Sequence, residues 1–161
     1  MPPTGDPQPR WRLVIGGLLV TGVVGLAVVR LAAGAVAPPV IGPVDGAPAA
    51  CPPSDNCIDT TSDDPRHAAD PLPCPAADLA HLADGIATAL PRTRIVAVEE
   101  EYARLEVTSQ VFGFVDDVEL FAADRVVHVR SAARIGRSDL GANRDRVERI
   151  RSLSDRLPGC G

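Results

Sequence analysis

The stretch FGFVDDVELFAADRVVHVRSAARIGRSDLGANRDRVERIR, Phe112 to Arg151, decides the fold. Val115 to Phe121 and Arg125 to Ser131 alternate with the period of two that strands require, and Ala122-Ala123-Asp124 separates them, so the spacing predicts an antiparallel hairpin. Gly141 to Leu157 then sets Val147, Ile150, Ser154 and Leu157 on one helical face, with Pro158-Gly159 to stop it. Three acids, Asp116, Asp117 and Glu119, precede a succession of arginines. Any chemistry the chain performs belongs in this stretch.

Toward the N-terminus, Tyr102 to Val111 and Arg94 to Glu99 read as two more strands. The first turns Ala103, Leu105, Val107 and Ser109 inward and Arg104, Glu106, Thr108 and Gln110 outward. Pro75 to Leu90 reads as a helix, with Asp78 near the positive end of its dipole, Leu79, Leu82, Ile86 and Leu90 on one stripe, and Pro91 to end it. His81 lies beside that stripe and reads as a surface residue. The expected fold class is α+β: a four-stranded antiparallel meander flanked by two helices on one face, in the order α-β-β-β-β-α.

Before this domain the pattern changes. Residues 1–12 form a proline-rich polar tail, expected in the cytoplasm, and residues 13–37 an apolar helix whose uncharged run Leu13 to Val29 spans about 25 Å. That is short of a hydrocarbon core of about 30 Å, and a snorkelling Arg30 with the residues up to Ala37 makes up the difference. Arg10 and Arg12 precede the run and no basic residue follows Arg30 until Arg66, which orients a single-pass anchor with its N-terminus inside. A cleaved signal sequence is the rival, since Ala35-Val36-Ala37 offers a small-x-small site, although Pro38 follows at once. Gly17, Thr21 and Gly25 share a face that suits helix–helix approach. Residues 38–50 read as a Pro/Gly-rich linker without a core-forming pattern, and residues 51–161 as the extracytoplasmic domain.

Charge is divided within that domain. Residues 51–124 hold 4 Arg against 15 acids, a balance of -11, and residues 125–161 hold 9 Arg against 4 acids, a balance of +5. The two parts are expected to neutralise each other within one fold, and the acids that interrupt the basic segment, with the lack of aromatic–basic repeats, argue against nucleic acid.

Cys51, Cys57, Cys74 and Cys160 are even in number and fall in a segment expected in an oxidising compartment, so disulfides are the default. The loop from Cys51 to Cys57 closes locally and leaves Cys74 for Cys160. A zinc site from three of the cysteines and His67 is the alternative, with five residues between the first two cysteines where structural sites have two to four. Lipidation of Cys51 is weaker still, because the cysteine lies far from the apolar run.

Strand parity separates the neighbouring aspartates. Asp116 falls in register with Phe112, Phe114, Val118 and Leu120, and Asp117 and Glu119 face the other way. A carboxylate on an apolar face must be paired or protonated, and Arg134 or Arg144 are its expected partners. Asn143 or Ser138 is expected to cap the last helix. The candidate constellation is Asp116, Asp117, Arg130, Arg134, Asp139, Asn143 and Arg144, read either as a structural ion-pair network or as a pocket in which Arg130, Arg134 and Arg144 hold an anionic ligand. Catalysis by the two aspartates together is disfavoured by their opposite faces, as is a dyad of His128 and Ser131. Nucleophile-elbow, phosphate-loop, dinucleotide and HExxH motifs are absent, and neither metal nor cofactor is expected.

Taken together, CPPSDNC at Cys51 to Cys57, GFVDDVE at Gly113 to Glu119 and VRSAARIGRSDLGANRDRV at Val129 to Val147 resemble the family catalogued as domain of unknown function 1499. The resemblance implies a small domain, often behind an N-terminal membrane segment, without an assigned activity. It carries over Cys51, Cys57, Asp116, Asp117, Arg130, Ser131, Arg134, Gly136, Asp139, Gly141, Asn143 and Arg144. Asp55 and Asp59-Thr60 depart from the family's proline and serines. The functional expectation is a membrane-anchored, non-catalytic binding or assembly module of the cell envelope, contacting an envelope protein, lipid or other anionic ligand. The alternative is a hydrolase-like enzyme centred on Asp116 and Arg134.

Overall fold

The computed structural model describes residues 10–38, 40–44, 47–75, 78–157 and 160. The tail before Arg10, part of the expected first turn of the domain's first helix and the Pro158-Gly159 stop lie outside the described residues. The element order is α1 (Arg10–Gly34), β1 (Pro43–Val44), β2 (Ala47–Pro48), β3 (Cys57–Asp59), α2 (Leu79–Ala89), β4 (Thr93–Val98), β5 (Tyr102–Thr108), β6 (Val115–Ala123), β7 (Val126–Ala133) and α3 (Ala142–Ser154).

The expected meander β4-β5-β6-β7 is present, but the sheet has five strands, in the order β3-β7-β6-β5-β4, all antiparallel. The additional strand comes from the disulfide loop: Cys57, Ile58 and Asp59 pair with Ala132, Ser131 and Arg130. Three residues are too few to show a period, so this strand was not visible in the pattern. The β6–β7 turn falls at Asp124 and Arg125, both with positive φ, as a two-residue hairpin with mirror-image turn geometry demands. The expected turn at Ala122 to Asp124 is therefore displaced toward the C-terminus.

One sheet face is apolar. Ala103, Leu105, Val118, Leu120, Val127 and Val129 pack against Leu79, Leu82, Ala83 and Ile86 of α2 and Val147 and Ile150 of α3 in a single buried cluster. Asp78 caps α2, its carboxylate accepting from the N–H groups of Ala80 (2.9 Å) and His81 (3.2 Å). α3 begins at Gly141, whose φ of 87° suits glycine, and neither Asn143 nor Ser138 caps it. Asp139 takes that part, accepting from the N–H groups of Gly141 (3.0 Å) and Asn143 (2.7 Å).

Cys51 is bonded to Cys57 and Cys74 to Cys160. The first bond holds the loop that supplies β3, and the second joins the segment ahead of α2 to the end of the chain. α1 is apolar and exposed over almost its whole length, and Val14–Gly34 is long and apolar enough to cross a membrane. The segment after it is not a bare spacer. β1 and β2 pair, and β2 touches β6 and β7 on the face opposite the helices.

Because Cys74 and Cys160 are 86 residues apart, Cys74→Ser is expected to lower the unfolding free energy by about 3–5 kcal/mol on a chain-entropy argument. Urea denaturation of the non-reduced protein, followed by circular dichroism, checks the loss.

Candidate functional site

The sheet face away from the helices carries a layer of charge under cover. Cross-strand register puts Glu106 opposite Asp117 and Arg104 opposite Glu119, which in turn faces Arg130. Asp117 is 2% exposed and Glu119 is 0%. Three carboxylates, Glu106, Asp117 and Glu119, meet four guanidinium groups, Arg104, Arg130 and Arg134 within the layer and the more exposed Arg94 at its margin.

Arg134 is the centre of the layer. It grips Asp117 with both ends of its fork, from Nε to Oδ2 at 2.7 Å and from Nη2 to Oδ1 at 2.9 Å, and also donates from Nη2 to Glu106 Oε1. Its Nη1 donates to the carbonyl of Val36 at 3.1 Å. The hydrogen bond to Asp117 is the largest influence raising its pKa, so the guanidinium is permanently charged. Arg104 approaches Asp117 Oδ1 and Glu106 Oε1, each at 3.0 Å, and Arg94 reaches Glu106 Oε2 at 2.5 Å. Glu119 accepts from Arg130 (2.8 Å), Tyr102 (3.1 Å) and the backbone N–H of Gly42 (2.7 Å). Burial, and then the charge of Glu119, raise the Tyr102 pKa and keep its phenol protonated as a donor.

Asp116 belongs to a different cluster, on the helix side of the sheet. Its partner is Arg146 at 2.6 Å, and the expected pairings with Arg134 and Arg144 do not form. Arg146 also donates to Ser131 Oγ (2.9 Å) and to Asn143 Oδ1, and Ser131 donates to the same Oδ1 at 2.6 Å. Asn143 donates to Asp139 (2.6 Å) and to the Asn56 carbonyl (2.9 Å), which ties the Cys51–Cys57 loop to α3. Arg144 points elsewhere, binding the carbonyls of Ala68 (3.0 Å) and Arg66 (2.9 Å).

The structure thus divides the seven expected residues. Asp117, Arg130 and Arg134 lie in the outer layer, Asp116, Asp139 and Asn143 beside α3, and Arg144 holds a loop. Arg104, Glu106, Arg146 and Asn56 were missed. The first two had a signal, since R-L-E at 104–106 faces D-V-E at 117–119 on the neighbouring strand. Arg146 had none that separates it from other helix arginines. His67 is buried with Nδ1 2.9 Å from the carbonyl of Cys57, an arrangement in which Nδ1 carries the proton.

A cavity of about 310 Å³ opens at the Asp116 edge, lined among others by Arg92, Ser109, Asp116, Asp145, Arg146 and Arg149. Another, of about 710 Å³, lies at the opposite end of the strands, lined by Glu99, Glu100, Glu101, Tyr102 and Asp124 among others. Among the described residues, no guanidinium group lines it.

The fold and site define a disulfide-linked α+β domain built around internal ion pairs, following an apolar N-terminal helix. Residues 49–153 match the model of the family described as Protein of unknown function (DUF1499), and the chain belongs to that family. Comparison with curated proteins finds no match.

Asp117→Ala is expected to cost about 3–5 kcal/mol, because it leaves the two covered guanidinium groups of Arg104 and Arg134 with Glu106 as their one remaining carboxylate. Asp116→Ala is expected to cost only about 1–2 kcal/mol, since Arg146 keeps Ser131 and Asn143. Urea denaturation checks the order, and a reversed order would move the centre to Asp116.

The two faces also respond oppositely to pH. Burial opposes ionisation of Glu106, but hydrogen bonds from Arg134 and Arg94 outweigh it and hold its pKa below the ordinary range. Its stabilisation is therefore present above the unfolded-state pKa and lost as pH falls through the folded value. Burial raises the pKa of Asp116 against the pull of Arg146, so its share is present below the unfolded-state pKa and lost as pH rises through the folded one. In thermal melts between about pH 3 and pH 7, Glu106→Gln should flatten the acid loss of stability and Asp116→Asn should steepen it.

Proposed function

We propose that the chain is a single-pass membrane protein, N-terminus in the cytoplasm, whose domain is a non-catalytic binding or assembly module of the cell envelope. The arginine-lined cleft at the Asp116 edge receives an anionic group of a lipid, glycan or partner. The observation that carries this reading is the way charge is used. The buried carboxylates are answered within the fold, and the reactive-looking pair of Asp116 and Arg134 is split between two sheet faces. Arg92 and Arg149, by contrast, are exposed on the cleft with no carboxylate partner among the described residues, and Arg92 uses only its Nε, to the carbonyl of Thr108. Guanidinium groups beside a serine hydroxyl suit phosphate, sulfate or carboxylate.

Retention of α1 as an anchor is supported by its contacts with the domain. Ala33 is buried, and Arg30 donates to the carbonyls of Gln110 (2.6 Å) and Val111 (2.7 Å). Cleavage after Ala37 would discard both. Two disulfides suit a domain outside the cytoplasm.

The test uses the full chain in neutral detergent, titrated with phosphatidylglycerol, a sulfated glycan fragment and, as an uncharged-headgroup control, phosphatidylcholine. At least one anionic probe should bind, and its affinity should fall about tenfold or more in Arg92→Glu/Arg149→Glu and weaken with salt. Melting temperature should stay unchanged because both side chains are exposed. Equal binding by the wild type and the double variant, or turnover of a probe that depends on Asp116, would refute the proposal.

A further inference from the structure

The turn between β5 and β6 is an apolar projection held against α1. Residues 107–115 carry no charge, and they contain two of the three phenylalanines in the chain. Val111, Phe112 and Phe114 are exposed to 55%, 49% and 39%. The two rings stack on each other, with centroids 5.5 Å apart, and remain open to solvent. The base of the turn is closed by Ser109, which donates its N–H to the Phe114 carbonyl (2.8 Å) and accepts the Phe114 N–H at its hydroxyl (2.9 Å). A rigid turn that displays two aromatic rings has a use outside the domain's own core.

What covers it follows from its neighbour. Arg30, the first charge after the apolar run of α1, binds the carbonyls of Gln110 and Val111. Gly113 sits so close to the helix that a Cβ there would lie 3.4 Å from Arg30 Cβ, and its φ is +71°. The turn is therefore fixed at the level where the uncharged helix ends, within about one helical turn of Val29. The opposite ends of the same strands carry Glu99, Glu100, Glu101 and Asp124.

We propose that Val111 to Phe114 is a second membrane contact, seated in the headgroup–acyl boundary beside α1 and setting the domain upright on the bilayer. This rests on the reading of α1 as a retained anchor. Apolar and aromatic side chains lie favourably in that boundary, and an arginine beside them can satisfy its remaining N–H groups on lipid phosphate. The acidic strand ends then point away from the lipid, and the cleft of Arg92 and Arg149, which shares Ser109 with the turn, opens near the headgroups.

The experiment uses the full chain in nanodiscs of brominated phosphatidylcholine. Native Trp11, the only tryptophan, reports on the anchor. In a Trp11→Phe background, Phe112→Trp reports on the turn and Val98→Trp on the far end of the sheet. The expected result is blue-shifted emission from the Phe112→Trp variant, quenched more by shallow bromines than by deep ones, with the Val98→Trp variant unquenched. Absence of quenching in Phe112→Trp, with native Trp11 quenched, overturns the turn contact and leaves the anchor standing. Absence of quenching in both overturns both. A blue shift in Phe112→Trp without quenching means that protein covers the turn, and equal quenching in Val98→Trp means that the domain lies flat. Either outcome overturns the proposal.

Discussion

Two carboxylates, Glu106 and Asp117, face each other directly across neighbouring strands, and both are covered. Like charges in that relation repel, and burial removes the water that would screen them. The fold exists only if a cation is delivered between them, and Arg134 delivers it from just beyond the end of β7, touching both. Arg104 on β5 supplies a second contact to each. Every carboxylate of the outer layer is answered by at least one guanidinium group, and desolvation offsets much of the attraction, so the sheet gains little net stability from it but a great deal of definition. A strand shifted by one residue would turn Glu106, Asp117 and Glu119 onto Leu79, Ile86 and Val147, which no partner there could neutralise.

That constraint reaches beyond the family-matched region, which begins at residue 49. Glu119 has one of its three donors from Gly42, and Arg134 has one of its acceptors from Val36. Main-chain groups of Val36 and Gly42, between the apolar helix and the first cysteine, therefore take part in the charged layer. They add partners to groups that are buried, where each hydrogen bond counts for more and each missing partner costs more. A segment whose composition suggested only a spacer thus completes the domain through main-chain groups. Composition carries no trace of that, because any residue but proline offers the same N–H.

The legible parts were those that repeat. Period-two alternation located β4 to β7, and the stripes Leu79-Leu82-Ile86-Leu90 and Val147-Ile150-Ser154 located α2 and α3, since a sheet face and a helix face must each bury an apolar side. The separation of Asp116 from Asp117 was legible for the same reason. Partner choice was not. Arg134, Arg144 and Arg146 lie in one loop-and-helix segment, and which of them meets Asp116 depends on how α3 is rotated on the sheet. Val147 and Ile150 fix that rotation and bring Arg146 to the edge, while Arg144 is carried round to the carbonyls of residues 66 and 68. The three-residue β3 was hidden because its stability comes from the Cys51–Cys57 bond and the Asn56–Asn143 contact rather than from its own sequence.

The charge division visible along the chain becomes, in three dimensions, a division along the strands. Glu99, Glu100, Glu101 and Asp124, which no guanidinium neutralises among the described residues, lie together at the ends of β4 and β6 and the starts of β5 and β7, around the cavity there. The other ends gather Arg92, the uncharged turn and the contact with Arg30. The interior pairing is what allows this asymmetry. With Glu106, Asp117 and Glu119 answered by Arg94, Arg104, Arg130 and Arg134, the field outside the domain is set by the charges left at its surface, those at the two strand ends among them. The buried network thus decides, without any of its own groups reaching the surface field, which charged side chains are left to set it.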